Sequence, residues 1–257
     1  MKLTTTALAV LTVAAFVAGP AAPVAARPAE SRHTGCRQPG PYQLPHGSTP
    51  VHLRARHFTT RITNPYWPMR PGTVWHYVET NATETQRITV RVTHRTKLVH
   101  GIRARVVRDV VRSAGEVVEA TNDWYAQDAG GSIWYLGEDS KTYENGQVVS
   151  TEGSWQYGRR GAQAGVILPA RPHAGCGYRE EYLAGEAEDR ALVLSRREAV
   201  KVRTGFYRRV LHTANSTPLE PTVLENKFYA RGVGPILEID VSPTWSRAEL
   251  VKVTHQR

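Results

Sequence analysis

Apolar and polar residues alternate in short segments through most of the chain, and turn-forming residues separate the segments. The clearest case is Ile88, Val90 and Val92, which alternate with arginine and threonine as in a half-buried strand. Asn145-Gly146 is typical of a tight hairpin turn between two strands. The pattern predicts an all-β antiparallel meander that forms a sandwich or an incompletely closed barrel of about eleven or twelve strands. These strands are expected at residues 74–78, 87–96, 102–112, 117–127, 132–143, 148–155, 178–183, 191–202, 206–214, 223–230, 235–241 and 249–253.

The start of the chain has a different pattern. Lys2 precedes an almost wholly apolar stretch, and small residues follow up to Ala26. This order is typical of a secretory signal peptide, and the stretch is shorter than the roughly 20 residues of a membrane span. We therefore expect a signal peptide at 1–26, a secreted protein with no later transmembrane segment, an extended or disordered arm at 27–57, and a single all-β domain at 58–257.

Asn64-Pro65-Tyr66-Trp67-Pro68 interrupts the strand pattern, because its prolines fix the backbone and remove hydrogen-bond donors. It is expected to plug one end of the fold with its two aromatic side chains. The alternative is an aromatic platform for a ligand. The candidate ligand-binding residues on this reading are Tyr66, Trp67, Trp124 and Trp134.

The chain has two cysteines, Cys36 and Cys176. Export would place them where disulfides persist. A disulfide between them would join the N-terminal arm to the second half of the chain. Two free thiols remain the alternative.

The chain carries a net charge of +10, and arginine supplies 27 of its 33 basic residues. Such a charge favours anionic partners, although an arginine-rich composition would give the same balance without function. A basic stripe is expected across two neighbouring strands. Glu119, Thr121 and Asp123 lie in phase on the next strand, and if they share the solvent face with the stripe, they would offset its charge. Nucleic acid is not expected as a partner, because this face carries threonine instead of aromatic residues. The stripe consists of Arg87, Arg91, Arg95, Arg103 and Arg105.

Signatures of catalysis are sparse in the sequence. The ten histidines lack zinc-protease spacing, no Cys-x-x-Cys is present, and no Gly-x-Ser-x-Gly elbow occurs, so no metal or cofactor is expected. Asp123, Glu138 and Asp139 lie among aromatic residues on two strands joined by a hairpin. Paired carboxylates beside aromatic side chains are what glycoside cleavage requires, so a carbohydrate-active hydrolase is one alternative. The other alternative is that these carboxylates occupy ordinary turn and strand-end positions.

Several short motifs occur together between residues 58 and 241. They are Asn64-Pro65-Tyr66-Trp67-Pro68, Pro71-Gly72-Thr73-Val74-Trp75, Asp123-Trp124-Tyr125-Ala126-Gln127-Asp128, Trp134-Tyr135-Leu136-Gly137-Glu138-Asp139, Pro218-Leu219-Glu220-Pro221 and Phe228-Tyr229-Ala230-Arg231-Gly232-Val233-Gly234. As a set they resemble a group of secreted proteins and lipoproteins from actinobacteria and other bacteria that has no assigned activity. The last motif is also similar to one in envelope lipoproteins that resemble lipoprotein-carrier half-barrels, which hold apolar ligands.

The architectural analogy, together with the lack of a catalytic signature, predicts a secreted, non-enzymatic binding protein of the cell envelope or the extracellular space. Its ligand would be a small or lipid-like, apolar or amphipathic molecule in the concave face of the sheet. The two alternatives are the hydrolase and an adaptor that binds anionic envelope polymers through the basic stripe.

Overall fold

A computed structural model describes residues 34–256 of the chain. Apart from two short 3₁₀ turns, Thr34–Cys36 and Ala55–His57, its regular structure is β-strand. The strands are β1 Phe58–Thr59, β2 Thr73–Asn81, β3 Thr85–Val99, β4 Ile102–Ser113, β5 Glu116–Asp128, β6 Ile133–Glu144, β7 Gln147–Ser150, β8 Trp155–Gln156, β9 Gln163–Leu168, β10 Gly177–Arg179, β11 Glu181–Tyr182, β12 Arg190–Val202, β13 Gly205–Ser216, β14 Leu224–Ala230, β15 Gly234–Ser242 and β16 Ser246–His255.

The strands form one antiparallel sheet that curves into a nearly closed barrel. The order along the sheet is β10-β12-β13-β14-β15-β16-β2-β3-β4-β5-β6-β9-β11, and β1, β7 and β8 pair beside this path. The two ends of the path meet, because β10 and β11 are separated by Glu180 alone. One short segment therefore pairs with β12 on one side and with β9 on the other. The predicted all-β meander and incompletely closed barrel are confirmed.

Alternation along each strand separates the barrel interior from its outside. On β2, Trp75, Tyr77 and Glu79 point inward and are buried, while His76 and Val78 between them are partly exposed. The predicted apolar face of β3 is confirmed in the same way, since all three of its alternating aliphatic side chains are buried.

The proline-rich segment before β2 closes one end of the barrel. The ring of Trp67 contacts Trp75, Tyr125 and Tyr229, with ring centroids 5.7 to 6.5 Å apart. Asn64 holds the segment in place by donating hydrogen bonds from its side chain to the carbonyls of Gly131 and Pro169. Trp67 therefore plugs this end of the barrel.

The part of the arm that the structure describes lies on the outside of the barrel. Leu44 is buried there, and Gln38 exchanges hydrogen bonds with the backbone of Arg171. Cys36 and Cys176 form a disulfide across a sequence separation of 140 residues, which confirms that prediction. The predicted signal peptide lies outside the described residues. Within residues 34–256, no helix is long and apolar enough to cross a membrane.

Candidate functional site

An open groove of about 580 Å³ lies on the outside of the barrel, where strands β12 and β13 pass beside the plug. Its lining combines four arginines with a histidine, a serine, one aromatic ring and two small or aliphatic side chains. The lining residues are Tyr66, His173, Ala174, Leu194, Ser195, Arg196, Arg197, Arg209 and Arg231.

Breaks in strand pairing carry the arginines into the groove. Ser195 pairs with His212 and Glu198 with Val210, so both Arg196 and Arg197 lie opposite Leu211 alone. Two residues facing one define a β-bulge, which bends a strand and redirects its side chains. The doublet therefore projects from the sheet instead of following its alternation.

A second bulge lies on the facing strand. Glu198 and Ala199 are consecutive on β12, but their partners Val210 and Arg208 are separated by Arg209. Arg209 has φ of 54°, in the left-handed region that a side chain other than glycine seldom adopts. Such backbone conformations concentrate at functional sites. The two bulges thus turn three arginines toward one place.

The opposite wall of the groove comes from the plug and from the turn between β14 and β15. The guanidinium carbon of Arg231 lies 5.0 Å from the centroid of the Tyr66 ring, within cation–π range. This turn is tied to the plug, because the amide of Gly232 donates to the carbonyl of Pro65 at 2.8 Å. Tyr66 therefore serves both as part of the plug and as a wall of the groove.

The third wall is the loop that carries the disulfide. His173 and Ala174 line the groove, and the next residue, Gly175, donates its amide to the carbonyl of Val193 on β12 at 2.8 Å. Cys176 follows directly and is covalently bound to Cys36. The groove thus has a wall that is fixed to the N-terminal arm by a covalent bond.

The groove is strongly electropositive. Its lining contains no aspartate or glutamate. Among the described residues, none of its four guanidinium groups lies within ion-pair distance of a carboxylate. Each guanidinium offers a planar fork of donors that matches phosphate or carboxylate oxygens. The arrangement is suited to holding an anion.

The groove was not anticipated from the sequence, although a signal was present. The strands at 191–202 and 206–214 were expected, and each contains an arginine doublet, Arg196-Arg197 and Arg208-Arg209. Two like residues in succession break a period of two, and such a break inside a strand is what a bulge produces. Only the pairing of the two strands shows that the bulges face each other.

The four predicted ligand-binding aromatics do not come together. Trp67 packs in the barrel end, whereas the ring of Trp134 contacts Tyr42 of the arm and Phe58 of β1 on the outside. Trp124 lies on β5, and the ammonium of Lys97 is 3.2 Å from the centroid of its ring. Of the four, Tyr66 is the one that lines the groove.

The arginines of the predicted basic stripe lie on β3 and β4, the two neighbouring strands on which the stripe is expected. Arg87 and Arg91 lie opposite other arginines of β4, whereas Arg95 lies in a register shift of β3. Arg105 bonds to backbone carbonyls of β3, and Arg103 reaches the hydroxyl of Thr96. None of these five arginines lines the groove.

The acidic partners that we expected beside this stripe are on the other face of the sheet. Glu119, Thr121 and Asp123 are buried, with 4%, 1% and 2% of their surface exposed. Glu119 pairs with Val111 and Asp123 with Val107, so they share the interior face with aliphatic side chains. The condition of a common solvent face is therefore not met, because the barrel interior accepts polar residues that a half-exposed sheet would turn to water.

The proposed hydrolytic carboxylates are divided between two faces. Asp123 and Glu138 are cross-strand partners inside the barrel and are each 2% exposed, while Asp139 points outward and pairs with Lys141 at 2.9 Å. Burial raises the pKa of Asp123 to about 7, although a hydrogen bond from the Tyr135 hydroxyl at 2.7 Å opposes this. Their burial deprives this pair of the open cleft that glycoside cleavage requires.

Asp123 and Glu138 belong to a larger set of acids inside the barrel. Burial is the main reason that the pKa is raised for nine of these acids, and neighbouring carboxylates add to it in most of them. The nine are Glu79, Asp109, Glu119, Asp123, Glu138, Glu180, Glu181, Asp189 and Glu238. The pKa reaches about 8 for Glu79 and Glu180, and about 7 for Glu119 and Asp189. The buried acids that face this interior are Glu79, Asp109, Glu119, Asp123, Glu138, Glu180, Glu181, Asp189, Glu225, Glu238 and Asp240.

Lys227 lies among these acids. Its ammonium is 2.9 Å from a carboxylate oxygen of Glu225 and 3.9 Å from one of Glu238. Burial lowers the pKa of Lys227, but the surrounding carboxylates outweigh it and raise the pKa well above its ordinary value. Within residues 34–256, no group of three or more His, Cys, Asp or Glu residues is arranged to hold a metal ion.

No family model matches the chain, and no curated protein matches it. Similar solved structures include a protein from Bacteroides fragilis that has a YmcC-like fold and is thought to be exported. Its TM-score is 0.44 and its sequence identity is 12%, and the match covers 74% of this chain and 98% of that protein. A protein from Parabacteroides distasonis, thought to be a lipoprotein, gives a TM-score of 0.38 at 12% identity, with the same coverage. A beta-barrel-like protein of a domain of unknown function from Brucella abortus gives 0.39 at 11% identity, over 72% and 98%. At these values the function has to be inferred from the chain's own residues.

Proposed function

We propose that the protein is a secreted binding protein whose ligand carries a phosphate or carboxylate group, and that the groove beside the plug holds this group. The single observation that carries the proposal is the convergence of Arg196, Arg197 and Arg209 from two facing bulges, without a carboxylate among the lining residues. Guanidinium groups that line one groove repel each other. An anion bound between them would relieve that repulsion and accept their hydrogen bonds.

The rest of the lining favours a ligand with an apolar part. Leu194, Ala174 and the Tyr66 ring contribute apolar surface next to the guanidinium groups. Leu194 is 41% exposed, so part of its side chain is available to a ligand. An amphipathic anion would use both kinds of surface.

The barrel interior is a less suitable place for an apolar ligand. Large aromatic side chains fill one part of it, and the remainder carries the buried acids and Lys227. An apolar molecule there would displace hydrogen-bonded and charged groups, at a high free-energy cost. The amphipathic ligand expected from the sequence is therefore assigned to the groove, on the outside of the barrel.

Inorganic pyrophosphate is a suitable probe, because its two phosphate groups offer acceptor oxygens to several of the arginines at once. Isothermal titration is expected to show binding that weakens as salt is added. The double variant Arg197→Ala/Arg209→Ala is expected to weaken this binding by at least about tenfold for each arginine that contacts the anion. The reason is the loss of charge-assisted hydrogen bonds.

The matched control is Arg87→Ala/Arg91→Ala, which removes the same number of arginines from the outside of β3. It is expected to leave pyrophosphate affinity within about twofold of the unaltered protein. Equal losses in both double variants would show that net charge alone attracts the anion. That result, or the absence of any binding to the unaltered protein, would refute the assignment to the groove.

A further inference from the structure

The turn that joins β12 and β13 presents one aromatic side chain surrounded by cations. Lys201 pairs with Phe206, and Ala199 pairs with Arg208, so these side chains share one face of the hairpin. Arg203 lies in the turn itself, and all of these residues are exposed. Phe206 is 56% exposed. The guanidinium carbon of Arg208 lies 4.8 Å from its ring centroid.

The opposite face of this hairpin end packs on the barrel. Val202 is buried, and Val200 and Tyr207 are partly buried against the hydrophobic core. The Tyr207 hydroxyl donates to Thr204 at 3.1 Å, and the amide of Arg203 donates to the Glu249 carboxylate at 2.5 Å. The hairpin end is therefore fixed against the barrel, and Phe206 is presented to solvent by a rigid support.

The charge of the hairpin is strongly one-sided. Between residues 190 and 216 it carries seven lysines and arginines, of which three line the groove, and Glu198 is its single acid. An anionic surface would attract such an element, with an affinity that rises by about fivefold for each cation near the surface. A phenylalanine in the middle of the cations adds an apolar group that can enter the boundary between headgroups and acyl chains.

We propose that this end of the β12–β13 hairpin docks on an anionic lipid bilayer. Phe206 enters the interfacial layer, and Lys201, Arg203 and Arg208 contact lipid phosphates around it. The proposal goes beyond the anion-binding groove, because it depends on a different set of side chains on the same hairpin. A bilayer fits better than a soluble polyanion, since a polyanion has no apolar layer to receive the ring.

Co-sedimentation with vesicles tests the docking. The full secreted protein is expected to bind vesicles of phosphatidylcholine and phosphatidylglycerol in equal parts, and to bind phosphatidylcholine vesicles far more weakly. Phe206→Ser is expected to weaken partitioning by about tenfold, from the lost transfer of the ring. Lys201→Ala is expected to weaken it by about fivefold, from the lost attraction of one cation.

Val149→Ser is the matched control. Val149 is a similarly exposed apolar residue, at 52%, but it lies beyond the β6–β7 turn at the opposite end of the barrel. Its substitution is expected to leave partitioning unchanged. Because both sites are exposed, near-native circular dichroism is expected for both variants, which separates loss of docking from loss of folding.

Two outcomes would overturn the proposal. Equal partitioning of Phe206→Ser and the unaltered protein would show that the ring does not enter the bilayer and that the cations act alone, as they would on a soluble polyanion. Equal binding to both vesicle types would show that lipid charge is not recognised. Pyrophosphate titration of Phe206→Ser keeps the two proposals apart, since the groove is expected to bind the probe normally in this variant.

Discussion

Raising the pH from about 5 to about 8 is expected to lower the free energy of unfolding markedly, by about 1.4 kcal/mol per pH unit for each additional proton that the folded state holds. The cause is the set of buried acids inside the barrel. Glu79, Glu119, Glu180 and Asp189 have pKa values of about 7 to about 8, each raised by burial above the ordinary values near 4.

The sign follows from proton binding. Between the ordinary pKa of a carboxyl and its raised pKa in the barrel, the folded state holds a proton that the unfolded chain has released. Unfolding then releases protons, so a higher pH favours the unfolded state. The stabilisation is complete below the unfolded pKa and is lost as the pH rises through the folded pKa. His76 acts in the opposite sense, because burial and the nearby charges of Lys252 and Arg91 lower its pKa.

Glu79→Gln isolates one of these acids. Glutamine is close to the shape of the protonated carboxyl and cannot ionise, so the variant is expected to match the parent protein near pH 5 and to exceed its stability near pH 8. Urea unfolding at several pH values measures this difference. Glu144→Gln, at an exposed position beside the Asn145-Gly146 turn, is the control and should leave the pH dependence unchanged. A stability that rises between these pH values would contradict the prediction.

Much of the sheet could be predicted from the sequence, because alternation and turn residues are local signals. The Asn145-Gly146 hairpin and the apolar face of β3 are examples. The closure of the barrel was not visible in the same way. It depends on β10 and β11, which are three and two residues long and too short to show a period.

The assignment of faces was harder to predict than the strands themselves. Alternation shows which residues share a face, but it does not show whether that face meets water. Glu79 continues the inward series of Trp75 and Tyr77, and the interior carboxylates of β5 follow the same rule. In a barrel with a polar interior, the sequence pattern of an acid that points inward is therefore the same as that of an acid that faces solvent. The bulges of the groove are a further case, since they depend on the register between strands.

Replacing both Cys36 and Cys176 with serine is expected to lower the free energy of unfolding by about 4 to 5 kcal/mol. The disulfide joins residues 140 positions apart, so its removal lets the unfolded chain explore many more conformations. In the folded state of this variant, the arm keeps its other contacts with the barrel. Among these are the two hydrogen bonds between Gln38 and the backbone of Arg171.

The same variant links the disulfide to the groove. Cys176 ends the loop that places His173 and Ala174 in the groove wall, and backbone hydrogen bonds between this loop and Val193 remain when the disulfide is absent. Pyrophosphate affinity is therefore expected to fall only a few-fold, whereas urea unfolding shows the full loss of stability. Unaltered protein treated with a reductant should match the double variant. A loss below about 1 kcal/mol would show that the unfolded chain stays compact enough to make the crosslink irrelevant.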